Sequence, residues 1–240
     1  MTTQQLIDEL KSSSGNLLSY DLDSYLGESM SDAQAVTLLN RAQAIISRYI
    51  FQVDPAIVFT PTVNSSTQNL FDTTTPVVTK KVIKVLHVVI NGAPLYAPAK
   101  GGTRRVPGVY DFQDFLMQYP NWTQDAGGTP AQAVAYGEGK IILYPKPTSV
   151  FSNCYICGQY LAADLSAAAL SAEPDLPPDL HPAIAYRAAV LAAEPTAATS
   201  EQMARIQRFD SKYGKLMDEI KSNNQAMYAR ASFAPERLFI

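Results

Sequence analysis

Apolar positions follow helical spacing near both ends of the chain and strand spacing in its middle. In residues 33–50, 182–194 and 200–228, apolar side chains recur every three or four residues, which places them on one face of a helix. Residues from about 51 to 162 instead show alternating patterns, hairpin turns and most of the prolines. This order predicts an α+β fold, in which a helical bundle formed by the N- and C-terminal helices carries an inserted antiparallel β domain.

The first strongly periodic helix has clear signals at both ends. Ser31 or Asp32 supplies the N-cap side chain, and Asp54-Pro55 ends the helix because proline disfavours helical geometry in the residue before it. A shorter helix at Thr3–Leu10 is predicted to end in the polar run Lys11–Asn16. The predicted apolar face of the main helix contains Val36, Leu39, Ala42, Ile46, Tyr49 and Ile50, and the opposite face contains Asn40, Arg41, Ser47 and Arg48.

Hairpin signals divide the middle of the chain into strands. Val82–Ile90 is rich in β-branched residues and runs into Asn91-Gly92, a strong two-residue turn signal. A second hairpin is predicted to join Ala131–Tyr136 to Ile141–Tyr144, and Phe151–Leu161 is predicted as a further strand.

Polar segments separate these strands. A short helix is predicted at Asp111–Gln118, with Asp111 as its N-cap. Residues 61–69, 97–109 and 120–130 are predicted to be long polar loops. Loops of this length in a compact domain usually have a functional contact to make, so we expect them to face partners.

A change in composition marks the return to helices. Residues 163–178 are rich in Ala, Ser, Pro and Asp, and Pro182 then suits the first turn of a helix. Thr199 and Gln202 have capping-box spacing at the start of the last helix, and residues 229–240 have no period. The predicted domains are a helical bundle of residues 1–50 and 176–228, a β-rich insertion of residues 51–175, and an extended C-terminal tail of residues 229–240.

Charge and composition narrow the range of functions. The 240 residues carry a net charge of −3, whereas a dedicated nucleic-acid binder normally has a basic surface. A mildly acidic protein is still compatible with a channel wall past which DNA moves without binding. No apolar run of about 18 residues occurs, so we expect no membrane contact and synthesis in the cytoplasm.

Motifs for catalysis are missing from the sequence. It contains no G-x-S-x-G, H-E-x-x-H or P-loop pattern, so we predict that the protein is not an enzyme and needs no cofactor or metal. His87 is interpreted as a strand residue and His181 as a residue at the entry of a helix. The only basic glycine-rich loop contains Lys100, Arg104 and Arg105, and it is a candidate contact for a partner or for passing DNA.

The two cysteines have C-x-x-C spacing but a strand-like context. Cys154 and Cys157 are flanked by Tyr155, Ile156 and Tyr160, and residues three apart on a strand point to opposite faces. Thiols that point apart form neither a disulfide nor a shared metal site without distortion. Both are therefore interpreted as ordinary packing thiols.

Four segments of the chain form an ordered set that spans about residues 33–220, which is most of the chain. The segments are LLNRAQAIISRYI followed by Asp54-Pro55; Gly139–Pro147 (GKIILYPKP); Asp175–His181 (DLPPDLH) with the alanine-rich helix after it; and Arg208–Tyr213 (RFDSKY). Taken in this order, they resemble the head-to-tail connector (adaptor) proteins of tailed bacteriophages.

This resemblance implies a structural protein of the virion neck, made in the host cytoplasm. Such proteins form a ring, generally of twelve copies, beneath the portal protein, where they extend the viral DNA channel. They provide the platform for tail attachment, so the implied partners are the portal, the tail or nozzle/tail-terminator proteins, further copies of the chain, and viral DNA passing without sequence specificity. The helices of the family pack around the ring, and the C-terminal tail reaches the portal or a neighbouring subunit.

The tail supplies the candidate docking residues of this chain. Phe233, Leu238, Phe239 and Ile240 are apolar residues on an aperiodic segment, and we expect them to dock on the portal or on an adjacent subunit.

Two other functions remain as alternatives. One is a different tail or baseplate component, or a glycan-binding β module carried on helices. The other is a cell-wall hydrolase that acts through scattered carboxylates such as Asp111, Asp114 or Glu138.

Overall fold

The computed structural model contains two compact units. The structure describes residues 1–18, 30–50, 52–71, 76–98, 105–194, 200, 203–204, 206–208, 210–211, 213–219 and 222. One unit, called the helical unit, combines Met1–Phe51 with Ala162–Ile240, and the other, called the β unit, is Gln52–Leu161. Helices and antiparallel strands are both present, so the predicted α+β class is confirmed.

The helices among the described residues are α1 (Thr3–Leu18), α2 (Asp32–Tyr49), α3 (Phe112–Gln118) and α4 (His181–Ala193). A 3₁₀ turn at Pro178–Leu180 leads into α4, and the described residues between 200 and 222 are all helical.

The core of the helical unit forms around α4. This helix contacts both α1 and α2, which also contact each other. Its buried face is made mainly of alanines, which allow the backbones of neighbouring helices to approach closely. Larger side chains from α1 and α2 fill the remaining space, and these are Leu6, Ile7, Leu10, Leu39 and Ile46, all 0% exposed.

Helix α1 is longer than predicted. It continues through the polar run Lys11–Asn16 to Leu18, so the prediction that this run ends the helix is wrong. Serine lowers helix propensity only modestly, and tertiary packing decides whether such a segment is helical. Here the Lys11 ammonium forms a salt bridge of 2.9 Å with the Asp32 carboxylate at the start of α2.

The N-terminus of α2 is capped as the sequence predicted. The Ser31 hydroxyl accepts a hydrogen bond from the Gln34 N–H, and the Gln34 side chain accepts one from the Ser31 N–H, which completes a capping box. Two assignments of faces on this helix are wrong. Tyr49 is 59% exposed although it was placed on the apolar face, and Ser47 is buried although it was placed on the opposite face.

Buried polar side chains on α2 bind the segment that follows the β unit. Ser47 Oγ accepts a hydrogen bond from the Ala162 N–H, and the Asn40 side chain bonds both the N–H and the carbonyl of Leu165. Gln43 Nε2 donates to the Ala163 carbonyl. These bonds hold residues 162–165 against α2, and the helical unit resumes at Ala162.

Ten strands are described in the β unit, and they form three antiparallel sheets. The order in the five-stranded sheet is β3-β1-β10-β4-β5, the order in the three-stranded sheet is β2-β9-β8, and β6 pairs with β7. The strands are β1 (Val53–Thr60), β2 (Thr67–Asn69), β3 (Val77–Val78), β4 (Val82–Ile90), β5 (Ala93–Pro94), β6 (Tyr96–Pro98), β7 (Arg105–Pro107), β8 (Gln132–Ala135), β9 (Lys140–Tyr144) and β10 (Tyr155–Tyr160).

Both predicted hairpins are present. Asn91 and Gly92 have φ values of 53° and 76° between β4 and β5, the positive values that a two-residue type I′ turn requires. In the second hairpin, between β8 and β9, Gly139 has a φ of 65°, and a Cβ at this position would lie 2.3 Å from the Phe71 ring. The turn therefore needs glycine at that position for two independent reasons.

Strands within two predicted loops were missed. Segment 61–69 contains β2, which pairs with β9. Segment 97–109 contains the end of β6 and all of β7, which pair with each other. These strands are three residues long, too short for an alternating pattern to be recognised. Strand β1 was also missed, because Asp54 and Pro55 interrupt its pattern and a register shift follows Asp54.

The capping box gives the first testable prediction. Replacing Ser31 with alanine should lower the free energy of unfolding by about 1 kcal/mol, because the Gln34 N–H loses its acceptor at the start of α2. Urea denaturation followed by circular dichroism measures this change. Ser31→Asn is the matched control, since asparagine also caps helices, and it should stay within a few tenths of a kcal/mol of the wild type. An equal loss in both variants would contradict the capping assignment.

Candidate functional site

Most of the predicted contact residues lie outside the part of the chain that the structure describes. Phe233, Leu238, Phe239 and Ile240 of the tail are outside it, as are Lys100 and Arg104 of the basic loop. The backbone of Arg105 is described, and it pairs with Pro98 between β6 and β7. The docking assignments for these residues remain predictions.

The carboxylates proposed for a hydrolase have different positions in the β unit. Asp111 is the N-cap of α3, where its carboxylate accepts a hydrogen bond of 2.9 Å from the Gln113 N–H. Asp114 lies in the first turn of α3, and Glu138 lies in the β8–β9 turn. Among the described residues, no group of three or more His, Cys, Asp or Glu side chains is arranged to hold a metal ion.

The cysteines are buried, free thiols. Only Cys157 lies within a strand, β10, while Cys154 precedes that strand. Burial raises the pKa of both thiols, and for Cys157 the negative charge of Asp54 adds to the effect. A raised thiol pKa lowers the fraction of reactive thiolate at neutral pH, so neither cysteine is set up as a nucleophile.

The two histidines have different environments. His181 is 1% exposed, and both of its ring nitrogens have partners. Nε2 lies 2.8 Å from the Leu176 carbonyl, to which it donates, and Nδ1 lies 2.8 Å from the Met1 amino group, from which it accepts. His181 therefore joins three parts of the helical unit. Half-burial lowers the pKa of His87 on β4, which keeps that ring neutral at pH 7.

An aromatic cluster packs α3 onto the three-stranded sheet. The Phe115 ring is fully buried, and its centroid lies 5.2 to 6.0 Å from those of Tyr119, Trp122 and Tyr144. The Tyr144 hydroxyl donates to Asp125, and this hydrogen bond is the main reason that the pKa of Tyr144 is raised to about 12. The rings contact one another edge-on or tilted, as in a small core.

The helical unit contains a cavity that neither the motifs nor the periodicity predicted. Its volume is about 220 Å³, and we call it the helical groove. It lies where the exposed end of α2 meets α4 and the last helix. The lining residues are Ile45, Tyr49, Arg187, Asp210, Tyr213, Gly214, Met217 and Asp218.

Arg187 organises the charges of the helical groove. Its Nη1 forms a salt bridge of 2.6 Å with Asp210, and its guanidinium carbon lies 5.7 Å from the centroid of the Tyr213 ring, within the range of a cation–π contact. Arg187 is the only Lys, Arg, Asp or Glu residue in the sequence of α4. An arginine in an alanine-rich helix was the one sequence signal that could have located this groove.

Two buried polar groups of the helical groove have no hydrogen-bond partner among the described residues. They are the Tyr213 hydroxyl and the Nε of Arg187. Tyr213 is only 8% exposed, and burial is the main reason that its pKa is raised to about 12, against a smaller lowering by Arg187. Leaving a buried donor unsatisfied costs roughly 1–3 kcal/mol. An oxygen acceptor that enters the groove would remove part of this cost.

The rim of the helical groove is apolar on one side and acidic on the other. Tyr49 lines the groove, and its large ring is 59% exposed. Asp218 is exposed at the rim and has no ionic partner among the described residues. The groove therefore combines an apolar wall, an exposed carboxylate and two buried donors that have no acceptor among the described residues.

The sequence model of one protein family, SU10 adaptor protein, matches residues 1–235. The match extends across both units and includes all four segments on which the resemblance was based. No curated protein matches the chain. Within the described residues, no helix is both long enough and apolar enough to cross a membrane.

The second testable prediction concerns Tyr213. Between pH 10 and pH 12 the unfolded chain loses the phenolic proton while the folded chain keeps it, so the free energy of unfolding should fall as the pH rises. The fall attributable to one proton is at most about 1.4 kcal/mol per pH unit. Tyr213→Phe should make this slope less steep in urea denaturation series.

Below pH 9 the wild type and Tyr213→Phe should depend on pH in the same way, because the phenol is protonated in both the folded and the unfolded chain. Identical slopes between pH 10 and pH 12 would contradict the buried, neutral state of Tyr213.

Proposed function

This chain belongs to the SU10 adaptor protein family, and we propose that it forms the head-to-tail adaptor ring beneath the portal of a tailed phage. The observation that carries the proposal is the extent of the family match, residues 1–235, which includes both units. Members of an adaptor family are structural phage proteins. In this role the chain contacts portal protein on one side and tail or nozzle/tail-terminator proteins on the other, in the virion neck.

The proposed ring contains about twelve copies and extends the channel for viral DNA. The helical unit, with its N- and C-terminal helices, forms the wall of the ring, and the β unit and the tail contact neighbours. The distribution of charged residues between the two units supports this assignment of roles. The helical unit has 16 acidic and 11 basic residues, whereas the β unit has 6 acidic and 8 basic residues. An acidic wall lets DNA pass because it offers few cations to the phosphate backbone.

A ring requires a heterologous contact, in which one surface of a subunit binds a different surface of the next. The helical groove and the apolar tail are two such different surfaces on one chain. The groove and the tail also favour a structural role over an enzymatic one. The groove offers groups for contact with a partner and not a nucleophile with an adjacent base.

The ring proposal is tested with the portal of a phage that encodes the chain. Purified protein mixed with portal rings should form a second ring on one face of the portal, visible by negative-stain electron microscopy and with matching symmetry. Bovine serum albumin at the same concentration serves as the control for non-specific coating. Portal rings that remain bare at micromolar concentrations would refute the adaptor ring.

The role of the tail has its own test. Deleting residues 229–240 should leave the melting temperature within about 2 °C of the wild type, because few buried contacts are expected from an aperiodic segment. The same deletion should prevent attachment to portal-bearing heads, measured by cosedimentation. Replacement of 229–240 with a Gly/Ser segment of equal length is the matched control, and it should also fail to attach. Attachment at the wild-type level would exclude the tail as a docking element.

A further inference from the structure

The lining of the helical groove suits a partner with three properties. These are a large apolar side chain for the cavity, an oxygen acceptor for the Tyr213 hydroxyl and the Arg187 Nε, and a cation for the exposed Asp218. A cavity of about 220 Å³ is smaller than the roughly 300–1,000 Å³ of typical small-molecule sites. Since an apolar cavity of about 150 Å³ holds benzene, this one has room for a single aromatic or aliphatic side chain.

Residues 229–240 have these properties in one short segment. The sequence ARASFAPERLFI supplies apolar side chains at Phe233, Leu238 and Phe239, and the adjacent Glu236 and Arg237 supply an anion and a cation. Glu236 offers an acceptor to the Arg187 Nε and the Tyr213 hydroxyl, which have none among the described residues, and Arg237 offers a cation to the exposed Asp218 carboxylate. The tail therefore carries one adjacent charge of each sign, and the lining of the groove also contains both signs.

We propose that the helical groove of one copy receives the tail, residues 229–240, of the neighbouring copy. This inference rests on the proposed ring and makes the adjacent subunit, rather than the portal, the direct receptor of the tail. The last described helical residue is Ser222, and the 18 residues after it can extend over at most about 60 Å. A folded unit of the size of the helical unit has a radius of gyration of about 14 Å, so a segment of that length can reach a groove on an adjacent copy.

The contact is heterologous, because the tail and the groove are different surfaces. Each copy gives one tail and receives one, so the contact repeats around an axis until the ring closes. When the ring closes, the buried donors of every groove would each have an acceptor from the neighbouring tail. An isolated copy would leave its groove unfilled, which favours assembly over a free subunit.

Photo-crosslinking on portal-attached rings tests this placement directly. The full chain carries p-benzoylphenylalanine in place of Phe239, and it is mixed with wild-type copies labelled with ¹⁵N. Mass spectrometry should find crosslinks from position 239 to labelled peptides that contain Tyr49 or Met217. The same photoreactive residue in place of Val150, an exposed residue of the β unit, is the control for random crosslinking and should give at least about tenfold fewer groove crosslinks.

Charge exchange tests the pairing of residues independently. Asp218→Arg and Arg237→Asp should each reduce the yield of groove crosslinks by about fivefold or more, since each removes one charge pair and creates a repulsion. The double variant should restore most of the yield. Glu219→Arg is the matched control, because Glu219 is an exposed neighbour that does not line the groove, and it should have no effect.

The outcomes separate this inference from the proposed function. Rings that attach to the portal but give crosslinks only within one copy, or only to the portal, would overturn the tail-in-groove contact and leave the adaptor ring standing. The contact is also overturned if the double variant is no better than either single variant. If no ring attaches to the portal, both proposals fail together.

Discussion

The close packing of α4 against α1 and α2 is the constraint on which the helical unit depends. Five alanines of α4 are fully buried, and these are Ala183, Ala185, Ala188, Ala189 and Ala193. Side chains this small bring the helix axes close together, so the larger residues of α1 and α2 complete the core. Arg187 lies on the same helix, and its guanidinium contacts both Asp210 and the Tyr213 ring in the helical groove.

The helical unit also depends on a set of buried polar contacts made by α2. The side chains of Asn40, Gln43 and Ser47 form hydrogen bonds with the backbone of residues 162–165. This segment belongs to no sheet or helix that would pair its backbone groups. Buried backbone groups without partners are costly, so these side chains make an irregular segment compatible with the core. They also fix the residue at which the chain re-enters the helical unit.

Regular elements with long patterns could be predicted from the sequence, and contacts made in three dimensions could not. The limits of β4, the cap of α2 and the Asp111 cap of α3 all follow from local signals, namely β-branched runs and side chains that bind the next backbone turn. Ser47 and Tyr49 were assigned to the wrong faces, because helical spacing does not reveal that a distant segment covers Ser47 and leaves Tyr49 exposed. The helical groove is built from three helices, so the sequence of any one of them does not predict it. Arg187 is the one residue whose position in an alanine-rich helix indicates the groove.

The division of the helical unit into two stretches of sequence has a consequence for synthesis on the ribosome. The β unit is one continuous segment, Gln52–Leu161, and all of it is translated before α4. Helices α1 and α2 emerge first, but the surface that buries Leu6, Ile7 and Leu39 is missing until residues 181–193 have left the exit tunnel. The β unit can therefore fold while the N-terminal helices still expose their apolar faces, and the first elements to be made are among the last to be completed.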